Sequence, residues 1–157
     1  MQLTNGVEVL QFSQDANDYV EFNAVTTDTW AGGAFLYHDG TNLKKYAPAD
    51  TTAHFTLQPK LIGIASAGKK TGENKAIVCL KATVLMDSTA LGVGVDMVIK
   101  YTVATDKYTA YQGALYNTDF NPDITLAGAF CVGLAAAEES DYRGKFAISG
   151  SAHLAAL

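Results

Sequence analysis

Long apolar runs are missing from this chain of 157 residues: no stretch approaches the ~20 consecutive apolar residues that a membrane-spanning helix needs. Met1 to Gly6 carry neither a basic patch nor an apolar segment, so no classical signal peptide is expected. Cysteine is scarce. Cys79 and Cys131 lie far apart in apolar surroundings, with no His or Cys nearby at a zinc-ligand spacing. Two buried free thiols in a chain made in a reducing cytoplasm are the expectation, with a disulfide as the alternative. Charge is also thin, at 17% of residues against the roughly 25% usual for soluble domains. The eleven basic residues are scattered and the net charge is -5, which argues against direct contact with nucleic acid, where clustered Lys and Arg must displace counterions.

What remains is a chain about one domain long, 48% hydrophobic, with 14 Gly and many Thr and Ala. Such a composition suits a sheet protein whose surface is largely covered, by its own second layer or by a neighbouring subunit. Ala76 to Met86 is the clearest strand: its even positions, Ala76, Val78, Leu80, Ala82, Val84 and Met86, are all apolar, whereas Lys81 and Thr83 fall between them. Val95 to Val103 alternates likewise, with Val95, Met97, Ile99, Tyr101 and Val103 on one face. Phe146 to Leu154 is a third such run. Asp39-Gly40, between Ala34-Tyr37 and Leu43-Tyr46, marks a hairpin. Helix signals are few, and Leu134 to Glu139 supports one short turn at most. Ser13 to Asp18 reads as an exposed loop between Val7-Phe12 and Tyr19-Phe22.

An internal repeat runs through these strands. Gly33-Ala34-Phe35-Leu36-Tyr37 is echoed by Gly113-Ala114-Leu115-Tyr116, and Leu61-Ile62-Gly63-Ile64-Ala65 by Cys131-Val132-Gly133-Leu134-Ala135. Each second block is followed by a polar turn and an alternating strand, at Lys75-Val78 and at Lys145-Ile148. The order is the same twice, which favours a duplication. A glycine among Ile, Val and Leu suits a bulge or a close backbone approach. The expected fold is therefore all-β, a compact β-barrel or β-sandwich with an internal duplication and little helix. Residues 1–22 form an N-terminal strand or arm, and 23–157 a single barrel-like domain.

No chemical motif survives inspection. Gly63 to Lys69 matches G-x-x-x-x-G-K, but Lys70 stands where a magnesium-binding Ser or Thr belongs, and a strand rather than a helix follows. This segment is expected to be a hairpin turn, with Lys69 and Lys70 on its surface and replaceable by Ala at almost no cost. His38, His54 and His153 are dispersed and are expected as surface or half-buried strand residues. Asp119, Asp123, Glu138, Glu139 and Asp141 lack calcium-loop spacing. No catalytic residue, cofactor or metal is expected. Tyr101, Tyr108, Tyr111 and Tyr116 alternate with small polar residues, as in wet interfaces or sugar-stacking surfaces, or as a cover for the core. Trp30, beside Ala31-Gly32-Gly33, is expected as an anchor at a loop end.

The Gly33-Tyr37 and Leu61-Ala65 blocks, the alternating strand after Asn74, and the return of Gly113-Leu115 and Val132-Ala135 resemble the small capsid decoration (head-stabilising, cement) proteins of tailed phages. The resemblance spans roughly residues 30 to 154 and rests on Gly, Ala and Val spacing. It implies a barrel-like body, often trimeric, seated on the outer capsid surface of the virion, where it clamps neighbouring major capsid proteins. The alternative is a carbohydrate-binding β-sandwich of a phage tail or fibre, stacking sugars on Tyr and Trp. Residues expected to meet a partner are Leu3, Val7, Val9 and Phe12 of the N-terminal segment, with Trp30, Tyr108 and Tyr111. That segment is either an arm reaching to a neighbour's sheet edge or the first hairpin of the barrel.

Overall fold

The computed structural model describes residues 5–57, 60–87, 97–112, 131–137 and 143–149. Among these residues the chain is all-β. The strands are β1 (Val7–Phe12), β2 (Tyr19–Asn23), β3 (Phe35–His38), β4 (Leu43–Lys45), β5 (Leu61–Ala65), β6 (Lys75–Cys79), β7 (Lys81–Asp87), β8 (Met97–Thr102), β9 (Lys107–Gln112), β10 (Cys131–Ala137) and β11 (Arg143–Ser149). They form a four-stranded sheet in the order β1-β7-β11-β10, a five-stranded sheet in the order β2-β6-β5-β3-β4, and the hairpin β8-β9. Every ladder is antiparallel. The outer strands of the five-stranded sheet approach each other at one residue pair, Ala24 with Leu43. That single bridge is no ladder, so the described strands do not close into a barrel.

The run expected as one strand from Ala76 to Met86 is two strands, β6 and β7, separated at Leu80. Here the chain leaves one sheet for the other. β1 pairs with β7 and β2 with β6, so one antiparallel ribbon serves both sheets and bends between them. The corner is pinned by backbone bonds from Ser13 N–H to Lys81 O (3.0 Å) and from Leu80 N–H to Asp18 O (2.7 Å). The polar residues between Ser13 and Asp18 bulge out of the ladder as a 3₁₀ turn, Ala16–Asp18, capped by the Asp15 carboxylate. Strands that switch sheets at a bend are how two sheets share one core. The alternation did place β7 correctly: Ala82, Val84 and Met86 are buried while Lys81 is exposed.

β5 has no polar face. All five of its residues are buried, which marks a strand covered on both sides. A Cβ on Gly63 would stand 2.3 Å from Cys79 O and 2.8 Å from Val78 Cγ2, so only glycine lets β5 and β6 approach this closely. The ladder to β3 shifts register beside it, between Leu36 and Tyr37. The β10–β11 ladder likewise shifts between Val132 and Ala135, around Gly133. Two blocks of the repeat thus occupy antiparallel neighbours, β5–β6 in one sheet and β10–β11 in the other. Their registers differ, because Ala65 faces Val78 whereas Ala135 faces Phe146. The third block, at Gly113, lies outside the described residues.

Two local expectations are corrected. Leu134 to Ala137, expected as a helical turn, continue β10, because pairing with β11 overrides alanine's helical preference. A helix stands instead at α1 (Thr51–Leu57), where no 3.6-residue period announced it. Its cue is the cap: Asp50 Oδ1 accepts a bond from Ala53 N–H at 2.8 Å.

Candidate functional site

Polar side chains converge where β8–β9 meets the rest of the chain. Tyr101 and Tyr108 face each other across the hairpin, with ring centroids 5.2 Å apart. Their outward N–H groups are taken by other parts of the chain: Tyr101 N–H donates to His54 Nε2 (3.0 Å) and Tyr108 N–H to Asn5 O (2.8 Å). Tyr108 is fully buried, its hydroxyl donating to Tyr46 O (2.7 Å) and its ring set edge-on to Phe35. The Tyr46 hydroxyl in turn donates to Ile99 O (3.1 Å). The hairpin is therefore gripped on both edges and through its centre.

Asp106, in the hairpin's turn, closes the grip. Its carboxylate accepts from Lys45 Nζ (2.6 Å), Asn5 Nδ2 (2.8 Å) and the Tyr101 hydroxyl. Asn5 and Asp106 both have left-handed backbones, with φ of 55° and 51°, a conformation that Asn and Asp tolerate better than other side-chain-bearing residues. Partial burial alone would raise the Asp106 carboxyl, but the bonds from Lys45 and Tyr101, with the lysine charge, hold it below its ordinary value. Tyr101 is pushed up to about 12, first by burial and then by its bond to Asp106. An aspartate with three donors is a poor base, and a phenol at 12 is a poor nucleophile at neutral pH. The arrangement clamps strands together. Asn5-Gly6 and Thr105-Asp106 are turn residues beside alternating runs, a local signal that marks each turn but not their meeting.

The loop resembling a phosphate cradle has another role. Residues 66–74 connect β5 to β6, as a hairpin turn should. Lys69, however, is not on its surface: the residue is only 4% exposed. Its ammonium donates to Asp28 O (2.7 Å) and lies 5.7 Å from the centre of the Trp30 ring, while its backbone bridges Trp30 in both directions (3.2 and 2.8 Å). The lysine points into protein and ties two loops. Lys70 is exposed, as expected.

The residues expected to meet a partner divide accordingly. Val7, Trp30 and Tyr108 are buried within the chain's own core, so they are corrected to core residues. Val9 and Phe12 pack against that core while lining a shallow cup of about 220 Å³ with Val7, Glu8, Gly32, Gly33 and Ser66. Leu3 and the Tyr111 side chain lie outside the described structure. Residues 5–23 are no free arm, since β1 and β2 are paired within the sheets, each as an outer strand. Leu10, at the bulge between Val9 and Gln11, is 42% exposed. Among the histidines, His54 sits on α1 and is buried, against expectation, because it serves the clamp. His38 is half-buried in β3, its Nδ1 accepting from Gly40 N–H, and His153 lies outside the described residues. Cys79 is a buried free thiol; the Cys131 side chain is outside the description. Among the described residues, no group of three or more His, Cys, Asp or Glu is placed to hold a metal ion.

No protein-family model matches the chain, and no curated protein or solved structure does either.

Proposed function

We propose that this chain is a non-enzymatic structural protein of a tailed phage that decorates and stabilises the outer capsid surface, clamping neighbouring major capsid proteins as a trimer. It would be made in the host cytoplasm and carried on the virion. The sequence resemblance motivates the reading, and one structural observation supports it: a single N-terminal segment supplies an outer strand to each of two sheets. Outer strands carry unpaired backbone groups that can pair with a partner's strand. Here they come with the exposed Leu10 and the shallow cup beside β1. A clip of this kind needs shape and burial, not titrating groups, and the best-connected titratable groups here are consumed by internal bonds. The glycan-binding alternative loses Trp30 and Tyr108 as stacking platforms, because both rings are buried.

The test is to add the purified chain to mature shells, stripped of this protein, from the phage that carries its gene. Cryo-electron microscopy should then show saturable density on the outer surface. A Leu10→Asp chain should melt as the parent does and occupy the shell less. Bare shells at saturating concentration would overturn the reading. Deletion of residues 1–23 is not a usable test, since it would remove two strands and buried Val7 together.

A further inference from the structure

We infer that His54 is a proton-operated latch that holds the β8–β9 hairpin to α1 while its ring is neutral and releases it when the ring is protonated. Both ring nitrogens are engaged. Nδ1 lies 2.7 Å from Asp50 O, a carbonyl that can only accept, so Nδ1 carries the hydrogen. Nε2 lies 3.0 Å from Tyr101 N, which can only donate, so Nε2 must offer its lone pair. One neutral tautomer satisfies both bonds. The imidazolium satisfies only one: a second proton on Nε2 would set two N–H groups head to head at a buried position where His54 is 4% exposed.

Burial and one neighbouring charge oppose that proton. Lys100, next to Tyr101 in β8, adds a positive charge that disfavours the imidazolium. Tyr46 presents its ring edge-to-face at 6.0 Å, and its hydroxyl is turned to Ile99 O. Tyr101 directs its hydroxyl to Asp106, and buried Tyr108 stacks on Tyr46. Asp50 favours charge, first through its carbonyl on Nδ1 and less through its carboxylate, which caps α1 at Ala53. Burial is the largest influence, and together these hold His54 below its ordinary value of 6.5.

Protonation therefore selects a state in which His54 has left Tyr101. The sign follows from linkage: the latch is fully closed above pH 6.5, the value the released ring would have, and weakens as pH falls through that value. The loss continues until the closed-state value is passed. What opens is the edge of β8 that does not face β9, together with the junction to α1. The opposite edge, held at Tyr108 by Asn5 O, has no histidine among the described residues and stays closed. The structure thus builds a release for mild acid into one side of a hairpin whose other side lacks it.

Amide hydrogen exchange on the intact chain tests this directly. After correction for the intrinsic rate, Tyr101 N–H should lose about tenfold in protection for each pH unit by which His54 lies below 6.5, and Tyr108 N–H should lose little. The imidazole signal of His54, followed by NMR, should titrate below the ordinary histidine value of 6.5. His54→Gln, which keeps an acceptor without the titration, should flatten the Tyr101 profile, whereas His38→Gln should leave it intact. Three results would overturn the latch: an ordinary or raised His54 titration, unchanged Tyr101 protection between pH 7.5 and about 5, or the same pH profile in His54→Gln. If His54→Gln does not fold, the first two measurements decide the matter on the parent chain.

Discussion

Lys69 and Asp106 are both charged residues that join segments distant in sequence, and they do it in opposite ways. Lys69 is sunk among loops and satisfied by two neutral carbonyls, Asp28 O and Lys70 O, and a tryptophan ring. Asp106 stays half-exposed and gathers donors from Asn5, Lys45 and Tyr101. The first is a buried charge in no salt bridge among the described residues, and its worth comes from packing and from charged hydrogen bonds to two backbone carbonyls. The second is an ion pair in contact with water, whose worth is divided among several weak bonds. Burial, more than charge, decides which tie is costly to cut.

Cutting the lysine should therefore have the larger effect. Lys69→Ala removes a charged bond to Asp28 O, of order 1.5–3 kcal/mol, and leaves a void against Trp30. Part of this is returned, because the buried ammonium no longer has to be desolvated. We expect a net loss of about 2 kcal/mol in urea unfolding with an unchanged m value, and no more than about 0.5 kcal/mol for exposed Lys70→Ala. Lys69→Met should recover the packing but not the bond. Equal, near-zero effects of Lys69→Ala and Lys70→Ala would return Lys69 to the turn surface and erase the contrast.

Tyr101→Phe comes next, at about 1 kcal/mol near neutral pH, for one hydrogen bond of the Asp106 cluster. Its pH signature separates the two ties. Tyr101 ionises at about 12 in the folded chain against 10.0 in the unfolded one, so its contribution is intact below pH 10 and is lost as pH rises towards 12. The parent should lose stability over that window more steeply than Tyr101→Phe. Some slope must survive in the variant, because burial also raises Tyr108. At the acid end Asp106, held low, contributes above its unfolded value near 3.8 and loses that contribution as pH falls below it. Identical alkaline slopes in parent and variant would show that the Tyr101 hydroxyl does not hold the cluster.

The two ties also differ in how far the sequence foretold them. Period-two alternation found β7 and β8, and Asp39-Gly40 found the β3–β4 hairpin, because these depend on neighbours in the chain. The bend at Leu80 left no trace, since the apolar alternation continues across it while the strand changes sheets. Gly63 announced a close approach, and the 2.3 Å to Cys79 O is that approach. Lys69 was read as surface because lysine usually is; what buries it is Trp30, about forty residues earlier in the chain. Asp106 and Asn5 are 101 residues apart, a contact that no local pattern encodes. The candidate partner residues were chosen for being aromatic or apolar. That property suits cores as well as interfaces, and Val7, Trp30 and Tyr108 went to the core.

The smallest effect should come from Lys45. Its bond to Asp106 is short, at 2.6 Å, but the side chains are 21% and 53% exposed, so water and salt screen the attraction. Lys45 also lies over the Tyr101 ring, 5.3 Å from its centre, which adds a contact of similar modest size. Lys45→Gln should cost about 0.5 kcal/mol at low salt and less at about 1 M salt, whereas the Lys69→Ala loss should be nearly insensitive to salt. A double-mutant cycle with Asp106→Asn isolates the pair, since Asn tolerates the left-handed backbone at this position and can still accept from Tyr101. A coupling of a few tenths of a kcal/mol that fades with salt fits a clamp assembled from many small bonds. A salt-independent coupling above about 2 kcal/mol would mean that the Asp106 cluster is shielded from water as Lys69 is, and the contrast between the two ties would fall.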